Sequence, residues 1–142
     1  HASGGFEMIS EAVKALPNTL ITAVTILTSL NNESLKNIGF NLTPGESAIK
    51  LAKLAVAAGA RAIVCSALEV SKIREAVGKD VVLITPGIRP AGSISDDQKR
   101  VATPSQALKD GANLIVIGRP ITSSDSIQNA CEQLRQEINS IK

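Results

Sequence analysis

Aromatic residues are scarce in this sequence. Its 142 residues include two Phe and neither Tyr nor Trp. Because proteins that bind single-stranded nucleic acids stack the bases on aromatic side chains, the composition disfavours a nucleic-acid partner. No apolar run approaches the ~20 residues that a membrane-spanning helix needs, so we expect no membrane association. With one His and two Cys, no group of His, Cys and carboxylate residues has metal-ligand spacing, and we predict no metal site.

The two cysteines are expected to be structural. Cys65 lies in the apolar run Ala62–Cys65, and Cys131 lies in the last predicted helix. This separation matches no redox or metal motif. The sequence therefore predicts that both are small buried hydrophobic residues in a protein of the reducing cytoplasm.

The chain opens with His1-Ala2-Ser3-Gly4-Gly5, without an initiator Met or a signal segment. Apolar residues make up 44% and charged residues 20%, and the formal net charge of +2 is spread over scattered Lys and Arg. Such a chain can form one modest folded domain. We expect that it begins inside a longer protein.

Short apolar runs recur at similar intervals along the chain. They are continuous rather than alternating, which is typical of strands buried on both faces of a parallel sheet. Helical patterns separate them, so the sequence predicts an α/β fold. The runs are Leu20–Leu27, Ala62–Cys65, Val81–Ile84 and Leu114–Ile117.

The predicted helices have recognisable boundaries. Capping-box spacing occurs at residues 43–46, 66–69 and 103–106. Glycines that can adopt the left-handed conformation follow three helical segments, at Gly59, Gly78 and Gly111. An apolar stripe of the last helix is expected to face the core, and it comprises Ile127, Cys131, Leu134, Ile138 and Ile141.

One βα unit is echoed within the chain. Residues 59–64 read Gly-Ala-Arg-Ala-Ile-Val, and residues 111–116 read Gly-Ala-Asn-Leu-Ile-Val. Repeated βα units form either an open parallel sheet or a (β/α)₈ barrel. A complete barrel needs eight strands and about 250 residues, so four predicted strands supply at most half of one.

Active sites of both architectures lie at the carboxyl ends of the strands. Thr28 and Ser29 follow the first run, and Ser66 follows the second. Arg89 follows the third run, and Arg119 follows the fourth. We expect Ser66 to cap a helix rather than to act as a nucleophile, because no His follows it in the chain.

The last two strand ends predict an anion site. Arg89 and Arg119 can both bind one dianion, and the N–H of Gly118 can approach it with no side chain in the way. Gln98, in the polar loop before the fourth strand, adds a neutral donor. The alternative is that the two arginines are solvated or pair with Asp96 or Asp97. No acid, base or nucleophile is evident beside this site.

Ordered motifs along nearly the whole chain resemble the orotidine 5′-phosphate decarboxylase family. They are His1–Gly5, Val24–Ser29, Val64–Glu69, Thr85–Pro90, Asp97–Arg100 and Ile117–Ile121. The resemblance implies a lyase of de novo pyrimidine biosynthesis that converts orotidine 5′-phosphate to UMP. It also implies a cofactor-free, cytoplasmic homodimer with a TIM-barrel fold, to which residues 1–142, as a single partial domain, supply about the last four β/α units.

The resemblance also implies site roles. Arg89, Gln98, Gly118 and Arg119 match the family's phosphate-binding set, whereas Thr28 and Ser29 match positions near the pyrimidine. The family's catalytic Lys and Asp lie in a D-x-K-x-x-D segment upstream of the H-A-S-G-G motif. That segment is absent from this sequence. We therefore assign no catalytic residue here and expect the chain alone to be inactive.

Two alternatives remain open. The first is a related decarboxylase or aldolase that acts on a sugar phosphate and uses the same phosphate site. The second is a non-catalytic half-barrel that associates with itself to cover its open strand edges.

Overall fold

The structure is a computed structural model that describes residues 1–90 and 102–139. Its strands form one parallel sheet in the order β1-β2-β3-β4, so each strand pairs with its neighbours along the chain. This confirms the predicted α/β class and the four predicted strands. The strands are β1 (Thr22–Val24), β2 (Ala62–Val64), β3 (Val82–Thr85) and β4 (Leu114–Ile115).

Helices alternate with these strands. A 3₁₀ turn over Ala2–Gly4 precedes the first helix, and among the described residues no helix is both long and apolar enough to cross a membrane. The helices are α1 (Gly5–Ala15), α2 (Asn32–Asn37), α3 (Pro44–Ala57), α4 (Val70–Val77), α5 (Pro104–Lys109), α6 (Arg119–Thr122) and α7 (Ile127–Asn139).

The two faces of the sheet differ in burial. One row of paired residues, Ala23–Ile63–Leu83, is buried in the core beneath the helices. The next row, Val24–Val64–Ile84–Leu114, points to the opposite face because side chains alternate along a strand. The first three of these residues are half-buried, and Leu114 is 55% exposed. The expectation that all runs are buried on both faces is therefore wrong.

The helix boundaries largely follow the local signals. Thr43 and Glu46 form a complete capping box at the start of α3, and the Thr103 hydroxyl accepts a hydrogen bond from the N–H of Gln106 at α5. The capping-box prediction is wrong for residues 66–69. The Ser66 hydroxyl accepts from the N–H of Leu68 within a turn, and α4 begins only after Glu69, whose side chain makes no capping bond.

The predicted helix-ending glycines are confirmed. Gly59, Gly78 and Gly111 all have φ between 82° and 106°, a conformation that side-chain-bearing residues rarely adopt. At Gly59 a side chain would also meet Val13 of α1, which packs against α3. These glycines let the chain turn directly from a helix into the next strand or the loop before it.

The two cysteines lie in different environments. Cys65 is buried, as predicted, whereas Cys131 is exposed, so that expectation is wrong. On the predicted stripe of α7, Leu134 is buried but Ile127 is 57% exposed, and Ile141 lies outside the described residues. The reason is that the stripe is covered unevenly: Cys131, Leu134 and Ile138 line a groove beside β4, and Ile127 lies outside this groove.

Candidate functional site

Two arginines leave the carboxyl edge of the sheet at equivalent positions. Thr85 of β3 is paired with Ile115 of β4. Arg89 lies four residues beyond Thr85, Arg119 lies four residues beyond Ile115, and each is followed by Pro. Because the strands are parallel, both Arg-Pro pairs lie beyond the same edge, the first in the loop after β3 and the second at the start of α6. The sequence-predicted pair is thus placed at adjacent strand ends.

The loop that carries Arg89 is held against the segment before α5. The backbone N–H of Arg89 donates to the carbonyl oxygen of Ala102 at 3.0 Å, and Ile88 is fully buried and bridged to Ala102. The Arg89 guanidinium donates to the carbonyl oxygen of Ile88 at 3.0 Å, and the residue is only 8% exposed. Among the described residues Arg89 has no carboxylate partner, and the alternative partners Asp96 and Asp97 lie outside them.

Gly118 and Arg119 are solvent-exposed and follow β4. Both are exposed, and the Gly118 carbonyl accepts from the N–H groups of Ile121 and Thr122, at 2.8 and 3.1 Å. Within residues 1–90 and 102–139, a side chain added at Gly118 would meet nothing within 4 Å. Space for a ligand is therefore available beside the backbone at this position, as the anion-site prediction requires. Gln98, the fourth member of the predicted set, lies outside the described residues.

Thr28 and Ser29 lie beyond the far strand of the same edge. Thr28 is half-buried and Ser29 is exposed, in the loop between β1 and α2. Three strand spacings of about 4.8 Å separate β1 from β4, which amounts to ~14 Å across the sheet. The two predicted subsites thus follow the two outer strands of the described sheet.

The first residues of the chain lie beside the end of β1. His1 and Ser3 line a cavity of about 120 Å³ together with Thr25, Leu27 and further apolar residues. The H-A-S-G-G motif therefore lies next to the segment that leads to Thr28, although the two are far apart in sequence. Nothing in the local pattern of His1–Gly5 indicated this contact.

Sequence reasoning overlooked two buried threonines at the strand ends. The hydroxyl of Thr25 donates to the carbonyl oxygen of Val64 at 2.9 Å, which ties the end of β1 to β2. Thr85 is fully buried, and its hydroxyl has no hydrogen-bond partner in the described part of the chain. The available signal was a threonine within the first apolar run and another directly after the third, but this position does not distinguish a bonded hydroxyl from an unbonded one.

A buried carboxyl group lies at the same edge. Glu69 follows β2 and is 6% exposed, so it and Arg89 are the buried charged residues of the described ranges. Charged groups are rarely buried outside functional or paired settings. No group of three or more His, Cys, Asp or Glu residues among residues 1–90 and 102–139 could hold a metal ion.

The family described as "Orotidine 5′-phosphate decarboxylase / HUMPS family" matches residues 1–134. The chain belongs to this family. The resemblance stated from the ordered motifs is therefore confirmed, and so is the barrel-family fold class.

Individual relatives agree with this assignment. The chain is 49% identical over 148 residues to orotidine 5′-phosphate decarboxylase of Gluconobacter oxydans (strain 621H), covering 99% of this chain and 63% of the relative. It is 51% identical to that of Thermobifida fusca (strain YX), covering 97% of this chain and 59% of the relative. The chain thus spans about three fifths of the length of these relatives.

Solved structures support the fold. The crystal structure of orotidine 5′-phosphate decarboxylase from Lactobacillus acidophilus matches with a TM-score of 0.80 at 37% identity, over 98% of this chain and 61% of that one. An uncharacterized conserved protein from Geobacillus kaustophilus matches with a TM-score of 0.74 at 26% identity. The sheet and helices of this family member therefore correspond to a large part of a larger barrel-family protein.

Proposed function

We propose that this chain supplies the phosphate-binding part of an enzyme that decarboxylates orotidine 5′-phosphate to UMP in pyrimidine biosynthesis. The observation that carries the proposal is the equivalent placement of Arg89 and Arg119, four residues beyond the paired residues Thr85 and Ile115. Family membership over residues 1–134 supports the same reaction.

In this proposal the phosphate dianion lies between the two arginines. The guanidinium groups donate charge-assisted hydrogen bonds, which are stronger than neutral ones and are directional. The N–H of Gly118 and the amide of Gln98 add neutral donors. Thr28 and Ser29 contact the other end of the nucleotide, near the pyrimidine, which agrees with the ~14 Å between β1 and β4.

The phosphate site acts at a distance from the reacting carbon. Decarboxylation breaks the bond between the pyrimidine ring and the carboxylate, so the electron pair stays on the ring carbon as CO₂ leaves. A positioned cation must stabilise that charge, and a donor must then deliver a proton to the carbon. Binding energy from the phosphate holds the pyrimidine in place while this happens.

The groups that perform this step are not assigned to this chain. In the family they lie in the D-x-K-x-x-D segment, which the 142-residue sequence does not contain. The proposal therefore includes that residues 1–142 form one partial domain and that this polypeptide alone has no decarboxylase activity. It also includes a cytoplasmic, cofactor-free homodimer for the complete enzyme.

The first experiment is complementation. The 142-residue chain is mixed with the leading segment of the Gluconobacter oxydans relative, which contains the part that this chain does not match. CO₂ release from orotidine 5′-phosphate is expected from the mixture and from neither piece alone. Release of CO₂ by the pure chain contradicts its proposed inactivity, and failure of a folded, co-purifying mixture contradicts the proposed role.

The second experiment tests the phosphate assignment in the complemented or full-length enzyme. Arg119→Ala is expected to raise KM for orotidine 5′-phosphate strongly and to lower kcat/KM. The matched control is Arg61→Ala, because Arg61 is also exposed but lies at the opposite, amino end of β2. An unchanged KM and kcat/KM for Arg119→Ala contradicts the assignment.

A related decarboxylase or aldolase that acts on a sugar phosphate is the second candidate. The description of the matched family names HUMPS beside orotidine 5′-phosphate decarboxylase, so the family is not limited to one enzyme. Both candidates use the same phosphate site, so the rest of the ligand distinguishes them. Thermal stabilisation of the complete protein by UMP but not by ribulose 5-phosphate supports the nucleotide enzyme. The reverse result supports the sugar-phosphate candidate.

A further inference from the structure

The segment that carries Thr28 and Ser29 is a short, hydrogen-bonded turn. The backbone N–H of Leu30 donates to the carbonyl oxygen of Leu27 at 3.1 Å, so Thr28 and Ser29 are the two central residues of a four-residue turn. A turn this short moves as a unit with the chain on either side of it. The direction in which it projects is therefore set by the residues that precede and follow it.

Thr25 fixes the chain just before this turn. Its backbone N–H donates to the carbonyl oxygen of Val64 at 3.1 Å, and its hydroxyl donates to the same oxygen at 2.9 Å. Thr25 is 3% exposed, and only two residues separate it from Thr28. The first of them, Ile26, is 5% exposed. The path from β2 to the turn is thus short and tightly held.

Neither burial nor strand pairing explains the hydroxyl of Thr25. A valine has nearly the same shape and would fill the space without a polar atom, and the backbone N–H already pairs with the Val64 carbonyl. Thr85 and Thr25 both directly follow the paired row Val24–Val64–Ile84. In the described part of the chain the Thr85 hydroxyl has no partner, so a cross-strand bond is not a general property of threonines at these strand ends.

The other end of the turn is fixed by helix α2. The side-chain oxygen of Asn31 accepts hydrogen bonds from the N–H and the hydroxyl of Ser34, at 2.9 and 2.8 Å. Leu35 of the same helix is fully buried. The turn therefore lies between two fixed points, and Thr25 is the one that joins it directly to the sheet.

We propose that Thr25 is a positioning residue for the pyrimidine end of the substrate. Its hydroxyl bond to the Val64 carbonyl oxygen sets where Thr28 and Ser29 meet the ring. This inference rests on the proposed function, because the turn meets a pyrimidine only if the ligand is a nucleotide. The two arginines of the phosphate site follow β3 and β4, so a bond between β1 and β2 leaves them in place.

Binding of two ligands to the complete enzyme tests the proposal. UMP has phosphate, ribose and pyrimidine, whereas ribose 5-phosphate has no pyrimidine. Thr25→Val removes the hydroxyl at nearly constant volume, and the Kd for UMP is expected to rise about five- to tenfold, as for the loss of one hydrogen bond. The Kd for ribose 5-phosphate should stay the same. Thr25→Ser keeps the hydroxyl and should restore the affinity for UMP.

The matched control is Thr22→Val. Thr22 lies at the amino end of the same strand, and its hydroxyl donates to the carbonyl oxygen of Leu20 at 3.4 Å. This substitution should leave the affinities for both ligands unchanged. An unchanged affinity of Thr25→Val for UMP, or an equal loss for both ligands, overturns the positioning role. So does an equal loss of affinity for UMP in Thr22→Val.

Arg119→Ala separates a failure of this inference from a failure of the proposed function. It should weaken the binding of both ligands, because both contain the phosphate. If ribose 5-phosphate binds Arg119→Ala as tightly as the unsubstituted enzyme, the phosphate assignment fails and the inference fails with it. If Arg119→Ala weakens both ligands while Thr25→Val affects neither, only the positioning role of Thr25 is overturned.

Turnover gives a measurement that a purely structural role would not change. Precise placement of the ring beside the reacting groups speeds the chemical step, and a small displacement slows it. We expect kcat for orotidine 5′-phosphate to fall about tenfold in Thr25→Val and to recover in Thr25→Ser. If Thr25→Val does not fold, Thr25→Ala removes the same hydroxyl and carries the same expectations. A lower melting temperature with unchanged kcat assigns the hydroxyl to sheet stability alone and overturns the proposal.

Discussion

The side-chain oxygen of Asn113 accepts a hydrogen bond from the Arg74 guanidinium at 2.5 Å. The same oxygen accepts a hydrogen bond from the backbone N–H of Leu83 at 2.8 Å, so it links β3 to the residue just before β4. Arg74 also donates to the carbonyl oxygens of Gly78, Val81 and Gly111. One guanidinium therefore joins α4 to the amino ends of two strands, opposite the edge that carries the proposed site.

Loss of this junction should reduce stability. Arg74→Ala leaves several carbonyl oxygens without a donor, and we expect it to lower the free energy of unfolding by about 1–3 kcal/mol in urea titrations. The control is Lys14→Ala, because Lys14 forms an exposed ion pair with Glu11 and such pairs contribute at most about 1 kcal/mol. Equal effects of the two substitutions are incompatible with a stabilising junction.

Substitution of the two buried threonines by valine should change the free energy of unfolding differently. Thr25→Val removes a hydrogen bond to the Val64 carbonyl and should lower the free energy of unfolding by about 1 kcal/mol. Thr85→Val removes a buried hydroxyl that has no partner among the described residues, so stability should stay the same or rise by about 1 kcal/mol. A larger loss for Thr85→Val than for Thr25→Val would show that the Thr85 hydroxyl is bonded.

The capping box of α3 should make stability depend on pH. The hydroxyl and the backbone N–H of Thr43 donate to the Glu46 carboxylate at 2.6 and 3.0 Å, and these bonds hold the pKa of Glu46 below its ordinary value of 4.5. A lowered folded-state pKa means that the contribution is complete above the ordinary value and is lost as pH falls through the lowered one. Glu46→Gln should therefore differ from the unsubstituted chain in melting temperature at pH 7 more than at pH 3.

Thr43 supplies the matched variants for that measurement. Thr43→Ser keeps the hydroxyl and should preserve the pH-dependent part of the melting temperature, whereas Thr43→Val should reduce it. An identical pH profile for the serine and valine variants excludes the hydroxyl bond as the cause.

The geometry of Arg89 should matter as well as its charge. Arg89→Lys keeps the positive charge but replaces a planar group with several donors by a single ammonium. In the complete enzyme we expect KM for orotidine 5′-phosphate to rise about tenfold, the equivalent of one charge-assisted hydrogen bond. Arg61→Lys, at the opposite end of the sheet, should leave KM unchanged. A normal KM for Arg89→Lys removes Arg89 from the phosphate site.

Features encoded by neighbouring residues were predictable from the sequence. The continuous apolar runs gave the four strands because a buried strand needs little more than such a run. The Thr43–Glu46 box and the glycine at position 59 were recognised because their partners or conformations lie within one turn of the chain. The placement of Arg89 and Arg119 beyond the carboxyl ends of strands was predicted from their positions shortly after two apolar runs.

Features that depend on distant partners were not predictable. The spacing at Ser66 is also that of a turn, and only the structure distinguishes this turn from a helix start. Cys131 belongs to an apolar stripe, but its exposure depends on what lies beside β4. Arg74 and Asn113 are 39 positions apart, so no local pattern joins them.

The strand order also sets the order in which the sheet can form. Pairing of Ala62 with Val82 closes 20 residues, whereas pairing of Thr22 with Ala62 closes 40 and of Ile84 with Leu114 closes 30. Doubling a loop costs about 0.6 kcal/mol of additional closure entropy, so β2 and β3 with α4 form the cheapest unit to close. This unit also holds the fully buried Ile63 and Leu83, around which β1 and β4 can then be added from either side. We therefore expect the centre of the sheet to form first and its amide protons to exchange last.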